Sequence, residues 1–375
     1  MKKLAIVIFF DSFILALLGL AIVMSASSAY SAIKFDSVFH LFNSQFFKVI
    51  LAILMMTGFA FIPYEIYKDI SKPLIMFAAF LLLITLFVAP SIKGAGRWIP
   101  LGPFSFQPAD FARLALIIHL AALIDDKGEM LKNYKHGFLY LFIWVILISG
   151  LIVLQPNIST AIILALIGLA ILYIGGAKIG HILSTSFFCL IGAVIVMMLF
   201  AHSRERIFTF INSMSNGGDI NIQVKQAVIG LGSGGVFGVG IGQSMQSNLF
   251  LPEAYGDFIF AILGEELGFI GSVAVLVSYL VLFVSGILVA KKAKDRFGQL
   301  LAFGITFSII VYAFVNIAVS TGLVPTTGLP LPFISYGGTS IIFLCISVGI
   351  LINIALSGAI VQKEAKVKNE RKKRI

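Results

Sequence analysis

Charge is scarce in this 375-residue chain: only 12% of residues are Asp, Glu, Lys or Arg, and acids are outnumbered 17 to 27. With 59% hydrophobic residues and a mean hydropathy of +1.04, that scarcity excludes an ordinary soluble globule. There are two cysteines, Cys189 and Cys345, both inside apolar runs. They exclude a disulfide framework and read as small core residues. The five histidines, His40, His119, His136, His181 and His202, lack ligand spacing, which leaves no credible metal motif. The glycine-rich run GLGSGGVFGVGIG at 230–242 has no GK[ST] beside it and so is not a phosphate loop. Alternating ten-residue strands are missing, which excludes a transmembrane barrel. No period of 20–50 residues is visible, and that weakens a transporter built from repeats.

What the chain does have is apolar runs of the ~20 residues that cross a bilayer. The fold class is all-α and polytopic, with about ten transmembrane helices near 4–27, 46–62, 73–90, 109–124, 138–154, 158–174, 180–201, 258–290, 299–323 and 337–359. The first apolar run is too long for a signal peptide core and reads as an uncleaved span. Ten spans put both termini on one side. A cytoplasmic placement puts 19 of the 27 basic residues inside, as the positive-inside rule requires. The net charge of +10 therefore marks topology and anionic lipid rather than nucleic acid. One transmembrane domain covers 1–361, including a large extracytoplasmic loop at 202–256 between helices 7 and 8; 362–375 is a basic cytoplasmic tail. The loop has apolar and glycine-rich content of its own and is expected to be ordered against the membrane surface.

Three polar clusters interrupt the apolar background. The run LPEAYGDFIFAILGEELG at 251–268 carries Glu253, Asp257, Glu265 and Glu266. If Glu253 and Asp257 were both helical, their spacing would place them on one face. Pro252 and Gly256 favour a loop-to-helix boundary, with Asp257 at the head of the span. Ionisable groups at membrane depth are costly and are functional candidates, although acids at a helix start also serve as simple caps. The run KGAGRWIPLGPFSFQPADFAR at 93–113 begins with Lys93 and pairs Arg97 with Trp98, which suits an anionic head group. Asp110 and Arg113 sit i, i+3, and they either neutralise each other or serve a site. The uncharged run at 316–340, with three prolines and four glycines, has the composition of a re-entrant or wall-forming loop. Gln155-Pro156-Asn157 joins two spans in a hairpin expected to dip into the bundle. Asp11 in the first span is read as snorkelling to the inner surface.

In this order, GAGRWIPLGPFSFQPADFARL, LQPNISTA, LPEAYGDFIFAILGEELG and GLPLPFISYGGTS resemble the SEDS family (shape, elongation, division and sporulation) over essentially the whole chain. The third run, together with GLGSGGVFGVGIGQS, is closer to the division branch than to the elongation branch. The resemblance implies a SEDS-type fold and a peptidoglycan glycosyltransferase that polymerises lipid II into glycan strands at the outer face of the cytoplasmic membrane. Its partners would be a class B penicillin-binding protein transpeptidase and other divisome proteins. It makes Asp257 the general base and Arg97 and Arg113 pyrophosphate ligands. Glu253 and Asp110 would orient them, and Gln107 and Trp98 complete the substrate-binding set. No cofactor is required, and a divalent cation (Mg2+ or Mn2+) at the pyrophosphate is compatible. The family's QPD reads Gln155-Pro156-Asn157 here, and its His-Thr before the aspartate reads Tyr255-Gly256. The alternatives are a flippase for a lipid-linked precursor, its path marked by Asp11, Arg113, Glu265 and Glu266, or an elongation-type polymerase.

Overall fold

A computed structural model describes residues 1–90, 96–101, 104–215 and 221–372. Lys93, at the head of the second polar cluster, lies outside the described residues. The elements are α1 (Lys2–Phe35), α2 (His40–Phe61), the short α3 (Ile66–Asp69), α4 (Ser71–Val88), the hairpin β1 (Ile99–Leu101) and β2 (Phe104–Phe106), and α5 (Pro108–Lys127). Next come α6 (Leu139–Val153), α7 (Ile158–Ile174), α8 (Ile179–Leu199), α9 (Ala201–Ser215) and α10 (Ile222–Ser233). The chain finishes with α11 (Ile259–Lys291), α12 (Arg296–Ser320) and α13 (Ser340–Lys372). Each of the ten expected spans falls on one of these helices. Among the described residues eight are long and apolar enough to cross a membrane, α6 together with the turn Tyr134–Phe138 before it; α7 is shorter, and α5 carries charges at both ends.

The helices are turned inside out relative to those of a soluble protein. On α1, Ile6, Phe10 and Leu17 point away from the protein, while Ser12, Gly19, Ser25 and Ser27 are buried. Lipid solvates the apolar face, and small or polar residues let neighbouring backbones approach. Gly19 shows the principle: its Cα lies so close to the backbone of Phe333 and Ile334 that a Cβ there would be 2.7 Å from Ile334 Cα. At the centre α5, α7 and α12 pack on one another, and α1, α2, α11 and α13 form a second group joined to them through α12 and α5. The helix α8 is peripheral. Thr185 is its one buried residue among those described, so Cys189 is half-buried rather than a core residue, whereas Cys345 on α13 is buried.

The structure departs from the expected continuous helix over 258–290. Gly268 adopts φ 68° and ψ −165°, which interrupts α11 a quarter of the way along. The freed backbone groups pair with the glycine-rich run. Phe269 and Ile270 N–H donate to Gly235 and Val236 C=O at 2.9 and 3.2 Å, and Val239 and Gly240 N–H donate to Glu265 and Glu266 C=O at 3.0 Å. The two side chains complete the junction. Glu265 accepts from Met245 N–H at 3.0 Å, Gln246 N–H at 3.3 Å and the Ser244 hydroxyl. Glu266 accepts from Gly242 N–H at 3.0 Å and from Ser25 of α1. Both acids are therefore fasteners for the 202–256 loop, which is largely structured by α9, α10 and a π-turn at Gln246–Phe250. Asp11 does not snorkel either; it accepts from Ser278 of α11 at 2.5 Å.

The end of the bundle that carries α3 and the α11–α12 turn holds a charge cluster: Lys68 with Asp125 and Asp126 at 2.6 and 2.8 Å, and Lys294 with Glu65 at 3.5 Å. The described backbone of α13 remains helical to Lys372, past the expected boundary at 361. The glycine junction generates a test. Gly238 has φ 81°, and a Cβ there or at Gly268 would overlap the facing backbone. Gly238→Ala and Gly268→Ala should each destabilise the detergent-solubilised protein by about 1–3 kcal/mol. Gly150→Ala, with nothing within 4 Å of the new methyl, should leave the melting curve within error of the wild type.

Candidate functional site

The turn before α11 carries Asp257. Leu251, Ala254 and Phe258 are buried beneath it, while Pro252 and Glu253 are exposed. Glu253 sits at φ 58°, and its C=O accepts Gly256 N–H at 2.8 Å to close the turn. Helix α11 starts at Ile259, so the boundary expected from Pro252 and Gly256 is where Asp257 stands, and Glu253 and Asp257 do not share a helix face. They are presented by a tight turn. The loop between α12 and α13 wraps that turn through its backbone. Asn316 donates to Asp257 C=O at 2.8 Å and to Leu329 C=O at 2.7 Å. The Ser335 hydroxyl donates to Gly256 C=O at 2.7 Å, and Tyr336 N–H donates to Tyr255 C=O at 2.8 Å. A Cβ on Gly328 would lie 3.5 Å from Asp257 Oδ2, so the carboxyl lies against this loop. The uncharged run at 316–340 is a wall, as its composition suggested.

Two guanidiniums face the turn. Arg97, just before β1, donates through Nε to Gln155 C=O at 3.4 Å and through Nη2 to Pro156 C=O. The 155–157 hairpin does dip inward: Gln155 and Asn157 are buried, and Gln155 Nε2 holds Leu82 C=O at 3.0 Å. Arg97 reads main-chain carbonyls of this hairpin, so its placement does not need the carboxylate that Asn157 replaces. Burial pushes the Arg97 guanidinium below its ordinary value, Arg206 pushes the same way, and Asp257 opposes both. Arg206, on α9, donates to Thr326 C=O at 3.2 Å. Burial lowers it as well, while Asp257 and Glu253 hold it up. Two acids and two guanidiniums thus converge from three distant stretches of chain. Sequence reasoning set Arg206 on the same side as Glu253 and Asp257 but not in the site. The facing of α9 decides the matter, because Arg204 on the same helix is exposed.

Asp110 and Arg113 form a second group. They pair at 3.6 Å, Asp110 buried and Arg113 nearly so, with the Arg113 guanidinium 4.3 Å from the centre of the Tyr312 ring. They line an internal cavity together with Leu331, Pro332 and Ser335. Ser335 also holds Gly256, so this cavity and the Asp257 turn share a lining residue. The short hairpin β1–β2 is fixed against the same loop. Gln107 N–H donates to Thr339 Oγ1 at 3.1 Å, and Trp98 packs on Gly338, where a Cβ would come within 2.7 Å of the indole.

Two cavities adjoin Arg206. One, of about 390 Å³, is lined by Arg206, Lys225, Phe210, Val228 and Thr326. The other, of about 260 Å³, is lined by Arg206, Ile162, Met197, Ile207, Val315 and Thr326. The pair presents cations at an apolar groove, a combination that fits an amphiphilic anion. Among the described residues no group of three or more His, Cys, Asp or Glu could hold a metal.

A buried lysine missed as a site residue completes the constellation. Lys48 of α2 donates to Gly337 C=O at 3.3 Å and to Tyr336 Oη at 3.4 Å, with its ammonium 4.6 Å from the centre of that ring. One turn earlier, Gln45 Nε2 donates to Ser335 C=O at 3.4 Å and Gln45 Oε1 accepts Gly337 N–H at 3.3 Å. Helix α2 therefore clamps the segment that in turn holds residues 255 and 256. A lone lysine at the start of an apolar run gives no sign of this in sequence.

Residues 5–359 match the model of the family described as cell cycle protein, FtsW/RodA/SpoVE. The chain is similar to the "probable peptidoglycan glycosyltransferase FtsW" of Geobacter sp. (strain M18), 37% identical over 91% of this chain and 94% of that one. It is also similar to the stage V sporulation protein E of Bacillus subtilis, 34% identical over the same shares. Two solved structures share the fold. One comes from a peptidoglycan synthase complex in which polymerisation and crosslinking are coordinated (TM-score 0.75, 22% identity, 94% of this chain and 97% of that one). The other is RodA of Thermus thermophilus (TM-score 0.67, 23% identity, 93% and 95%).

The α2 clamp is open to a double-mutant cycle. Gln45 and Lys48 share Gly337 and between them hold residues 335–337, so the stability losses of Lys48→Met and Gln45→Leu should be non-additive, with a coupling of about 0.5–3 kcal/mol. Additive losses in thermal unfolding would show that the two side chains act separately.

Proposed function

The chain belongs to the FtsW/RodA/SpoVE family, the SEDS family, and from that membership we propose that it is a peptidoglycan glycosyltransferase polymerising lipid II at the outer face of the membrane. It is an integral membrane enzyme of the division type. The observation that supports the site assignment best is the convergence of Asp257 with Arg97 and Arg206 beside an apolar groove. In the reaction a sugar hydroxyl attacks the anomeric carbon of a lipid-linked saccharide as the bond to the pyrophosphate breaks. Asp257 takes the hydroxyl proton as general base. Charge grows on the pyrophosphate oxygens, where Arg97 and Arg206 stabilise it. A single displacement inverts the anomeric centre. The polyprenyl chain follows the cavity past Ile162, Met197 and Val315 into lipid.

In this reading Arg206 takes the second cationic position, while Arg113, paired with Asp110, shapes the floor beneath the wall loop. Trp98 and Gln107 set the hairpin that carries Arg97. No step is routed through a metal ion. The partner in this proposal is a class B penicillin-binding protein, with other divisome proteins around it; the synthase complex of similar fold supports such pairing. The placement of both termini in the cytoplasm follows from the distribution of basic residues. A flippase is less well supported, because the charges that would mark its path, Asp11, Glu265 and Glu266, are held by protein hydrogen bonds and Arg113 is paired with Asp110.

The test uses the purified full chain, with its partner synthase, and labelled lipid II. Asp257→Asn should keep the wild-type melting curve and lose polymerisation by about 10²–10⁴-fold. Arg206→Ala should lower the rate by about 10²-fold or more. Polymerisation by Asp257→Asn at the normal rate would refute the base assignment, and lipid II crossing vesicle bilayers without polymerising would favour the transporter.

A further inference from the structure

The turn at 251–257 borders a third concavity, of about 360 Å³, that shares no lining residue with the two beside Arg206. Its character differs. Tyr30 of α1, Tyr255, Ser247 and Glu253 line it, over Pro252 and Leu251. The Tyr30 and Tyr255 rings lie 5.2 Å apart at 44°, and Tyr255 meets Tyr336 edge-to-face at 5.7 Å. Lys48 anchors the far end of this aromatic row at Tyr336, and Lys34 donates to Tyr30 Oη at 2.8 Å at the near end. The row is thus built into the bundle, with Tyr30 and Tyr255 only half-buried. Burial, first, and the hydrogen bond with Tyr30 push the Tyr255 phenol above its ordinary range, which keeps it an O–H donor.

Ring faces, neutral hydroxyls and one carboxylate suit a neutral polyhydroxylated ring. The apolar face of a sugar packs on an aromatic ring, and its hydroxyls and amide bond to phenol, serine and carboxylate. A pyrophosphate would meet Glu253 there. The turn that carries Asp257 therefore separates a cationic, apolar side from a tyrosine-lined, acid-rimmed side. We propose that the tyrosine-lined pocket is a saccharide subsite that holds N-acetylhexosamine units of the glycan strand beside the Asp257 turn and so governs product length. This rests on the glycosyltransferase reading above. The left-handed φ of 58° at Glu253 fits the proposal, since strained non-glycine backbone collects at binding sites.

Chitotetraose serves as a soluble probe on the full chain in nanodiscs, and the lengths of polymerised product are read on a gel. The wild type should bind the probe saturably. Tyr30→Ala and Tyr255→Ala should weaken it by roughly fivefold or more and shift products to shorter strands, while Tyr30→Phe, which keeps the ring, recovers most of both. Phe61→Ala, on an exposed ring at the other end of α2, is the control for handling. Tyr255 also packs on Tyr336, so Tyr30→Ala with an unchanged melting curve is the decisive variant. Wild-type consumption of lipid II with unchanged probe affinity and product length in Tyr30→Ala would overturn the subsite, as would absence of saturable chitotetraose binding to the wild type. A wild type that consumes no lipid II would instead overturn the glycosyltransferase reading.

Discussion

A helix interrupted inside an apolar bundle exposes N–H and C=O groups that lipid cannot satisfy, each costing several kcal/mol if left alone. The break at Gly268 is viable because a second stretch of irregular backbone, the glycine run at 234–242, lies directly against it. Each supplies what the other lacks: Phe269 and Ile270 donate one way, Val239 and Gly240 donate the other. The carboxylates of Glu265 and Glu266 collect the remaining N–H groups and a hydroxyl from α1. Glycine is required on both sides because a Cβ at Gly234, Gly238 or Gly268 would occupy the facing backbone. This junction fixes where the short first segment of α11 points, and with it the turn that presents Asp257.

The site is assembled in a similar way, with main-chain grips at each of its parts. Asn316, Ser335 and Tyr336 hold the carbonyls of residues 255–257, and Gln45 and Lys48 hold the segment that supplies two of those grips. Arg97 and Arg206 are each anchored on a carbonyl as well. Carbonyl anchors fix where each guanidinium sits, beside the Asp257 turn.

Much of this was legible in sequence, for one reason: in a chain so poor in charge, each charge at depth must be explained. Asp257, Glu253 and Arg97 stood out on that ground, and the wall loop stood out through its prolines and glycines. What stayed hidden depends on facing and partner. Arg206 differs from Arg204 only by the side of α9 it occupies. Lys48 stands alone at the start of an apolar run, and nothing in sequence pairs it with Tyr336. The break at Gly268 was masked because the apolar run continues on both sides of the glycine. Glu265 and Glu266 were equally conspicuous, yet they turned out to be structural. Cost identifies a constrained charge but not the kind of constraint.

The distribution of charge also bears on direction of work. A transporter needs polar groups that exchange partners as a path opens. Here Asp11, Glu265 and Glu266 are fastened to backbone amides and to hydroxyls, and Asp257, Glu253, Arg97 and Arg206 gather around a single turn. Chemistry carried out at one surface on a substrate that stays in the lipid requires only that arrangement. The turn at 251–257 then has two neighbourhoods of opposite character within a few residues: guanidiniums and an apolar groove toward Arg206, tyrosines and a carboxylate toward Tyr30. A lipid diphosphate and a neutral sugar are chemically unlike in the same sense, so a turn that separates the two environments can hold both partners of a transfer at its one central carboxylate.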